Sequence, residues 1–135
     1  MLFRRTLEGF SPADTEAGDW HHKTKLGALV ELKGNRPRNP QHHRKFFALM
    51  NIVVDNSDDY DTVEQFRFVL MATLQRGKWI EVPHATRAMF IPESISFKSM
   101  KQEDFDTLYN AAINAILKYF IPMDRDDLIE MIALA

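Results

Sequence analysis

The most regular pattern in the chain lies near its end. Phe105, Leu108, Tyr109, Ala112, Ile113, Ile116, Leu117 and Phe120 recur at steps of three and four, which lines them along one face of a helix about four turns long. Pro122 stops that helix, and Ser99 with Gln102 three residues later matches a capping box at its start. Phe46, Leu49, Met50 and Val53 form a second apolar face behind Asn39-Pro40, a capping side chain followed by a proline suited to a first turn. Val63, Phe66, Leu70 and Leu74 form a third, over a helix from Asp61 to about Arg76-Gly77. Asp124 to Leu134 reads as a short last helix, acidic at its start in keeping with the macrodipole.

Elsewhere the pattern is closer to that of strands. Leu2–Leu7 is a strand-like start, and Ser11-Pro12 opens one or two helical turns toward His22. Leu26–Lys33 alternates and is rich in strand formers. Gly34 to Pro40 holds a glycine and two further breakers, Pro37 and Pro40, and has no regular structure. Trp79–Val82 and Arg87–Ile91 flank Pro83-His84 as two strands able to pair as a hairpin. The order β-α-β-α-α-β-β-α-α predicts an α+β fold: a small mixed sheet of short strands, four to five helices, and one domain over residues 1–135.

Composition narrows the function classes. The absence of Cys excludes disulfides, thiolate zinc sites and Cys nucleophiles, and fits the cytoplasm. Apolar runs are too short to span a membrane, and Arg4-Arg5 interrupts the start before a secretory segment can form. Ten Phe and seven Met fall mainly on helix-periodic positions, which makes them core. The net charge is only −2, but its distribution is uneven. Lys33, Arg36, Arg38, Arg44 and Lys45, with His42 and His43, form an acid-free run, whereas Asp55, Asp58, Asp59, Asp61 and Glu64 form a base-free one. A polyanion responds to local sign within a Debye length of roughly 8 Å.

Catalytic patterns are missing. Neighbouring His21-His22 and His42-His43 point about 100° apart on a helix, and neither HExxH nor HxH occurs, so no metal site is expected. Asp55 as the first position of a calcium loop would put Tyr60 where Gly is needed and Phe66 where Glu is needed. A two-metal nuclease wants acids on neighbouring strands, and the expected strands carry only Glu31 and Glu81. There is no nucleophile elbow and no Gly-rich phosphate loop, and Ser94 and Ser96 read as structural. No cofactor and no catalysis are expected.

The basic run carries the functional expectation. If the loop holding Lys33, Arg36 and Arg38 folds over the helix start that precedes Arg44 and Lys45, cations and orphan N–H groups converge in a manner suited to phosphates. Phe46 belongs to the apolar face, while the more open Phe47 is placed to stack a base. The alternative is a solvated charged face with no ligand.

The run from Leu32 through His42-His43-Arg44-Lys45-Phe46-Phe47-Ala48-Leu49-Met50, with Ser94-Ile95-Ser96-Phe97, Met100, Glu103, Phe105 and Leu108-Tyr109, resembles a phage-encoded family of unknown function found in lambdoid prophages. More distantly it is similar to the NinB (Orf) recombination mediators. Gln41, Arg44, Lys45, Ala48 and Leu49 match that family's basic helix-opening segment, and Ser94, Ser96 and Met100 its serine motif. Phe47 stands where that family has Trp, and His42-His43 departs from its Gln-Asn. The resemblance implies an α+β homodimer that binds single-stranded DNA and helps exchange a single-strand-binding protein for a recombinase. The basic run and the resemblance together give an expected nucleic-acid site of Lys33, Arg36, Arg38, Gln41, His42, His43, Arg44, Lys45 and Phe47. A second expectation is a protein–protein module acting on a host or phage recombination or defence protein, with the acidic run mimicking phosphate. A nuclease is a third.

Overall fold

The computed structural model describes residues 1–135 and has the expected α+β class, with five helices and two separate two-stranded antiparallel sheets in place of one mixed sheet. The chain forms two compact units, Met1–Gly34 and Asn35–Ala135.

In the first unit β1 (Phe3–Thr6) and β2 (Gly9–Pro12) pair in the register Phe3↔Pro12 to Thr6↔Gly9, turning through Leu7-Glu8. Gly9 sits at φ +135°, a conformation open to residues without a Cβ. Ser11 and Pro12, expected to open a helix, belong to this hairpin instead. Helix α1 (Thr15–Lys23) is capped by Asp14, whose carboxylate accepts from the Ala17 N–H at 2.8 Å. Phe3 packs edge-on against Trp20. The strand expected over Leu26–Lys33 does not form. Its Leu26, Leu29, Val30 and Leu32 are exposed, so no apolar burial offsets the entropy of ordering the segment as a strand, and it joins neither sheet.

The second unit holds the core. Helix α2 (Pro40–Asp55) starts at the expected cap, α3 (Val63–Thr73) is capped by Thr62, and β3 (Gly77–Ile80) pairs with β4 (Met89–Pro92). Helix α4 (Gln102–Ala115) continues into a π-helical turn, Ile116–Phe120, and α5 (Arg125–Leu134) is capped by Asp124. Phe46, Leu49, Met50, Val53, Phe66, Leu70, Phe105, Leu108, Ala112, Ile113 and Leu128 are all buried in one cluster, so the helix-periodic faces do meet. No helix is long and apolar enough to cross a membrane.

Two local details depart from expectation. Gln75, at φ +56°, lets the Arg76 N–H reach back to Met71, so α3 closes with a left-handed Gln before Gly77 is reached. Gly77 serves a different end: a Cβ there would collide with the Ile91 carbonyl and the Phe90 ring across the hairpin. At α4, Ser99 does not cap. Its N–H and that of Met100 close a turn onto Ser96, and the helix begins only after Lys101, with Glu103 and Asp104 in its first turn.

Candidate functional site

The segment before α2 and the start of α4 come together through the basic run. Arg36 donates from Nε to Glu103 (3.0 Å) and from Nη2 to Asp106, one helical turn apart on α4. Both acids are thereby held below their ordinary pKa, Glu103 mainly by Arg36 and Asp106 first by the Gln102 amide and then by Arg36. Arg36 is thus matched by anions, though from α4 rather than from the acidic connector.

Arg38 is turned inward. Its Nη1 donates to the carbonyls of Ile95 and Met100, both at 3.0 Å, and its Nη2 lies 2.9 Å from His43 Nδ1. The guanidinium sits between the rings of Phe105 and Phe97, 4.0 and 4.9 Å from their centroids. Its Nε is buried without a partner. A planar fork with several donors is what lets one side chain bind two carbonyls and a ring nitrogen at once.

The helix start is also occupied. The Asn39 side chain accepts from the N–H groups of Gln41 and His42, and its carbonyl from that of His43. Pro40 has no N–H, so the first turn offers no free donor to a phosphate, contrary to the geometry anticipated from the sequence. The Asn39 N–H itself donates to Gln102 Oε1 at 2.7 Å. Gln102, the one buried polar side chain, also donates to Asp106 and lies 3.0 Å from His42 Nδ1. His42 Nδ1 is 3.2 Å from Asp106 as well, so it accepts from the amide when neutral and donates to the carboxylate when protonated. Burial lowers the pKa of His42, with Asp106 opposing, and burial followed by Arg38 lowers that of His43.

Of the nine expected residues, Lys33 lies in the first unit and pairs with Glu31. Arg36, Arg38, His42 and His43 gather at the junction of α2 and α4 and are engaged there. Gln41, Arg44 and Lys45 are exposed, and the two cations have no acidic partner. Phe47 is half-buried and opens on a groove of about 570 Å³ bounded by α2, α3 and the segment leaving β4. His43, Phe68, Ile91, Pro92 and Ile95 join Phe47 in its aromatic and apolar lining, and Arg67 in its wall is paired with Glu64 at 2.6 Å. No group of three or more His, Asp and Glu side chains is placed to hold a metal ion.

Sequence reasoning missed Gln102, Glu103 and Asp106, which face the basic run from α4, and Phe68, which lines the groove with Phe47. The spacing of Gln102 and Asp106 by four was a legible signal, since both sit one turn apart beside the apolar face.

Residues 4–58 are similar to a family model described as a protein of unknown function, DUF1367. No curated protein and no solved structure matches the chain.

Proposed function

We propose that this is a non-catalytic binding protein whose second unit takes single-stranded nucleic acid along the α2–α3 groove. What supports the reading is the pairing of unmatched charge with an open aromatic: Arg44 and Lys45 are exposed cations without acidic partners, and Phe47 follows on the same helix at the groove. Arg44 and Phe47, three apart, lie on neighbouring positions of the helix surface. In this arrangement Arg44 and Lys45 neutralise phosphates, while Phe47 and Phe68 meet base faces, a sequence-tolerant contact. The nine-residue site contracts accordingly. Arg36, Arg38 and His42 shape the site from behind, His43 lines the groove, and none of the four holds a phosphate. The resemblance to lambdoid prophage proteins and recombination mediators extends the proposal to phage recombination in a bacterial cytoplasm, with a homodimer as the working form.

Fluorescence anisotropy on a labelled oligonucleotide across a salt series tests this. Each phosphate contact contributes about 0.7 to the log–log salt slope for single strands. Arg44→Glu with Lys45→Glu should flatten the slope by roughly 1.4, whereas Arg36→Glu should leave it unchanged. A slope that responds to Arg36 and not to the Arg44–Lys45 pair refutes the assignment.

One observation favours a second reading, a protein–protein module that inhibits a host defence system. The groove's charged side chains are all paired, Arg67 with Glu64 inside it and Glu93 with Arg76 outside its lining, around apolar walls. Under that reading a host protein stays bound after nuclease treatment and is lost on Phe68→Ser.

A further inference from the structure

A guanidinium has donors only, so the atom facing Arg38 Nη2 at 2.9 Å must accept. His43 Nδ1 therefore carries the lone pair, and the proton of the neutral ring resides on Nε2. The ring is held in place: Phe105 stacks 5.7 Å away at 19°, Phe97 meets it at 5.1 Å, and Phe47 lies at 5.1 Å on its own helix. His43 lines the groove, and its Nε2 has no partner in the chain, yet it is not among the atoms closed off from solvent.

From this arrangement we infer that His43 is the groove's hydrogen-bond donor to an unpaired nucleobase, with Nε2–H meeting a carbonyl or ring nitrogen on the edge of a base whose face rests on Phe47. Arg38 acts as the positioning residue that selects the ring's tautomer. The inference rests on the single-strand reading and adds how the base is held. A base is favoured over a phosphate at this point for two reasons. The donor is neutral, kept so by burial and by the adjoining Arg38 cation, with Asp106 bonded to Arg36 and Gln102 rather than to His43. The surroundings, Ile91, Pro92 and Ile95 with the Arg67–Glu64 pair, offer no net positive charge to repay an anion's lost hydration. A duplex is excluded because its bases present no free face to Phe47.

Two measurements test it. In the free protein at neutral pH, long-range ¹H–¹⁵N correlation should show an imidazole protonated at Nε2 for His43; an Nδ1–H form overturns the inference. Binding is then compared between oligothymidylate and an abasic strand of equal length. His43→Leu should weaken oligothymidylate about fivefold, the loss of one neutral hydrogen bond, and leave abasic binding and the salt slope unchanged. His43→Gln, which retains a donor, should recover most of the loss. If His43→Leu binds oligothymidylate as wild type does, or weakens both strands equally, this inference fails while the single-strand reading stands. If wild type binds neither strand, the single-strand reading fails and takes this inference with it.

Discussion

Replacing Arg38 with Ala removes the contact that joins the start of α2 to the Ile95–Met100 segment. Two carbonyls, of Ile95 and Met100, lose a charged donor at 3.0 Å, and His43 Nδ1 loses its partner. Hydrogen bonds to charged groups contribute about 1.5–3 kcal/mol each, and a cation over an aromatic ring adds about 1 kcal/mol. Against this stands the cost of desolvating a guanidinium whose Nε finds no partner, about 1–3 kcal/mol. Taken singly these terms sum to about 2.5–9 kcal/mol, but contacts within one network are not additive, so the net loss on Arg38→Ala is set at the lower end, about 2.5–4 kcal/mol, or roughly 10–30 °C in Tm for a unit of this size. Far-UV circular dichroism reads it directly, because four of the five helices lie in the second unit. Arg38→Lys should recover less than half, since a single ammonium cannot span the same acceptors. An Arg38→Ala protein within about 0.5 kcal/mol of wild type refutes the reasoning and returns Arg38 to the pool of phosphate-binding cations.

Acid should loosen the same junction. The folded-state pKa values of His42 and His43 lie below the 6.5 of an unfolded chain, so as pH falls the unfolded state takes up protons first. Their contribution is complete above about 6.5 and is lost as pH falls from there through the folded values, and the carboxylates Glu103 and Asp106, also lowered, add a second loss at more acidic pH. Urea midpoints should therefore drop between about pH 7.5 and 5.5, and a flat profile there counts against the neutral-histidine packing. Gln102→Leu strands the Asn39 N–H and should cost about 1–3 kcal/mol by urea unfolding at unchanged m-value; a neutral effect means that water replaces the amide. Gly77→Ala forces β3 away from the Ile91 carbonyl and should cost about 1–3 kcal/mol in thermal unfolding, whereas an unchanged Tm disproves the close approach.

Helices were the legible part of the chain. Their apolar faces depend only on spacing, and α2, α3 and α4 bury or partly bury the residues that periodicity selects. Caps were legible only in part: Asn39 caps α2 as its place before Pro40 predicts, whereas Ser11 and Ser99 cap no helix. Strands were harder, because a strand exists only if another supplies its ladder. Leu26–Lys33 has the composition of a strand and no neighbour, while Gly9–Pro12 has the composition of a turn and pairs with Phe3–Thr6.

The basic run shows the same division. Its existence, its position before a helix and the aromatic that follows are properties of residue order. Which of its cations remain unpaired is a property of space. Arg36 meets Glu103 and Asp106 some seventy residues away, and Arg38 turns onto carbonyls nearly as remote in sequence. Electrostatic partners are selected by distance in three dimensions, so charge counted along the chain could not separate the paired Arg36 and the inward Arg38 from Arg44 and Lys45.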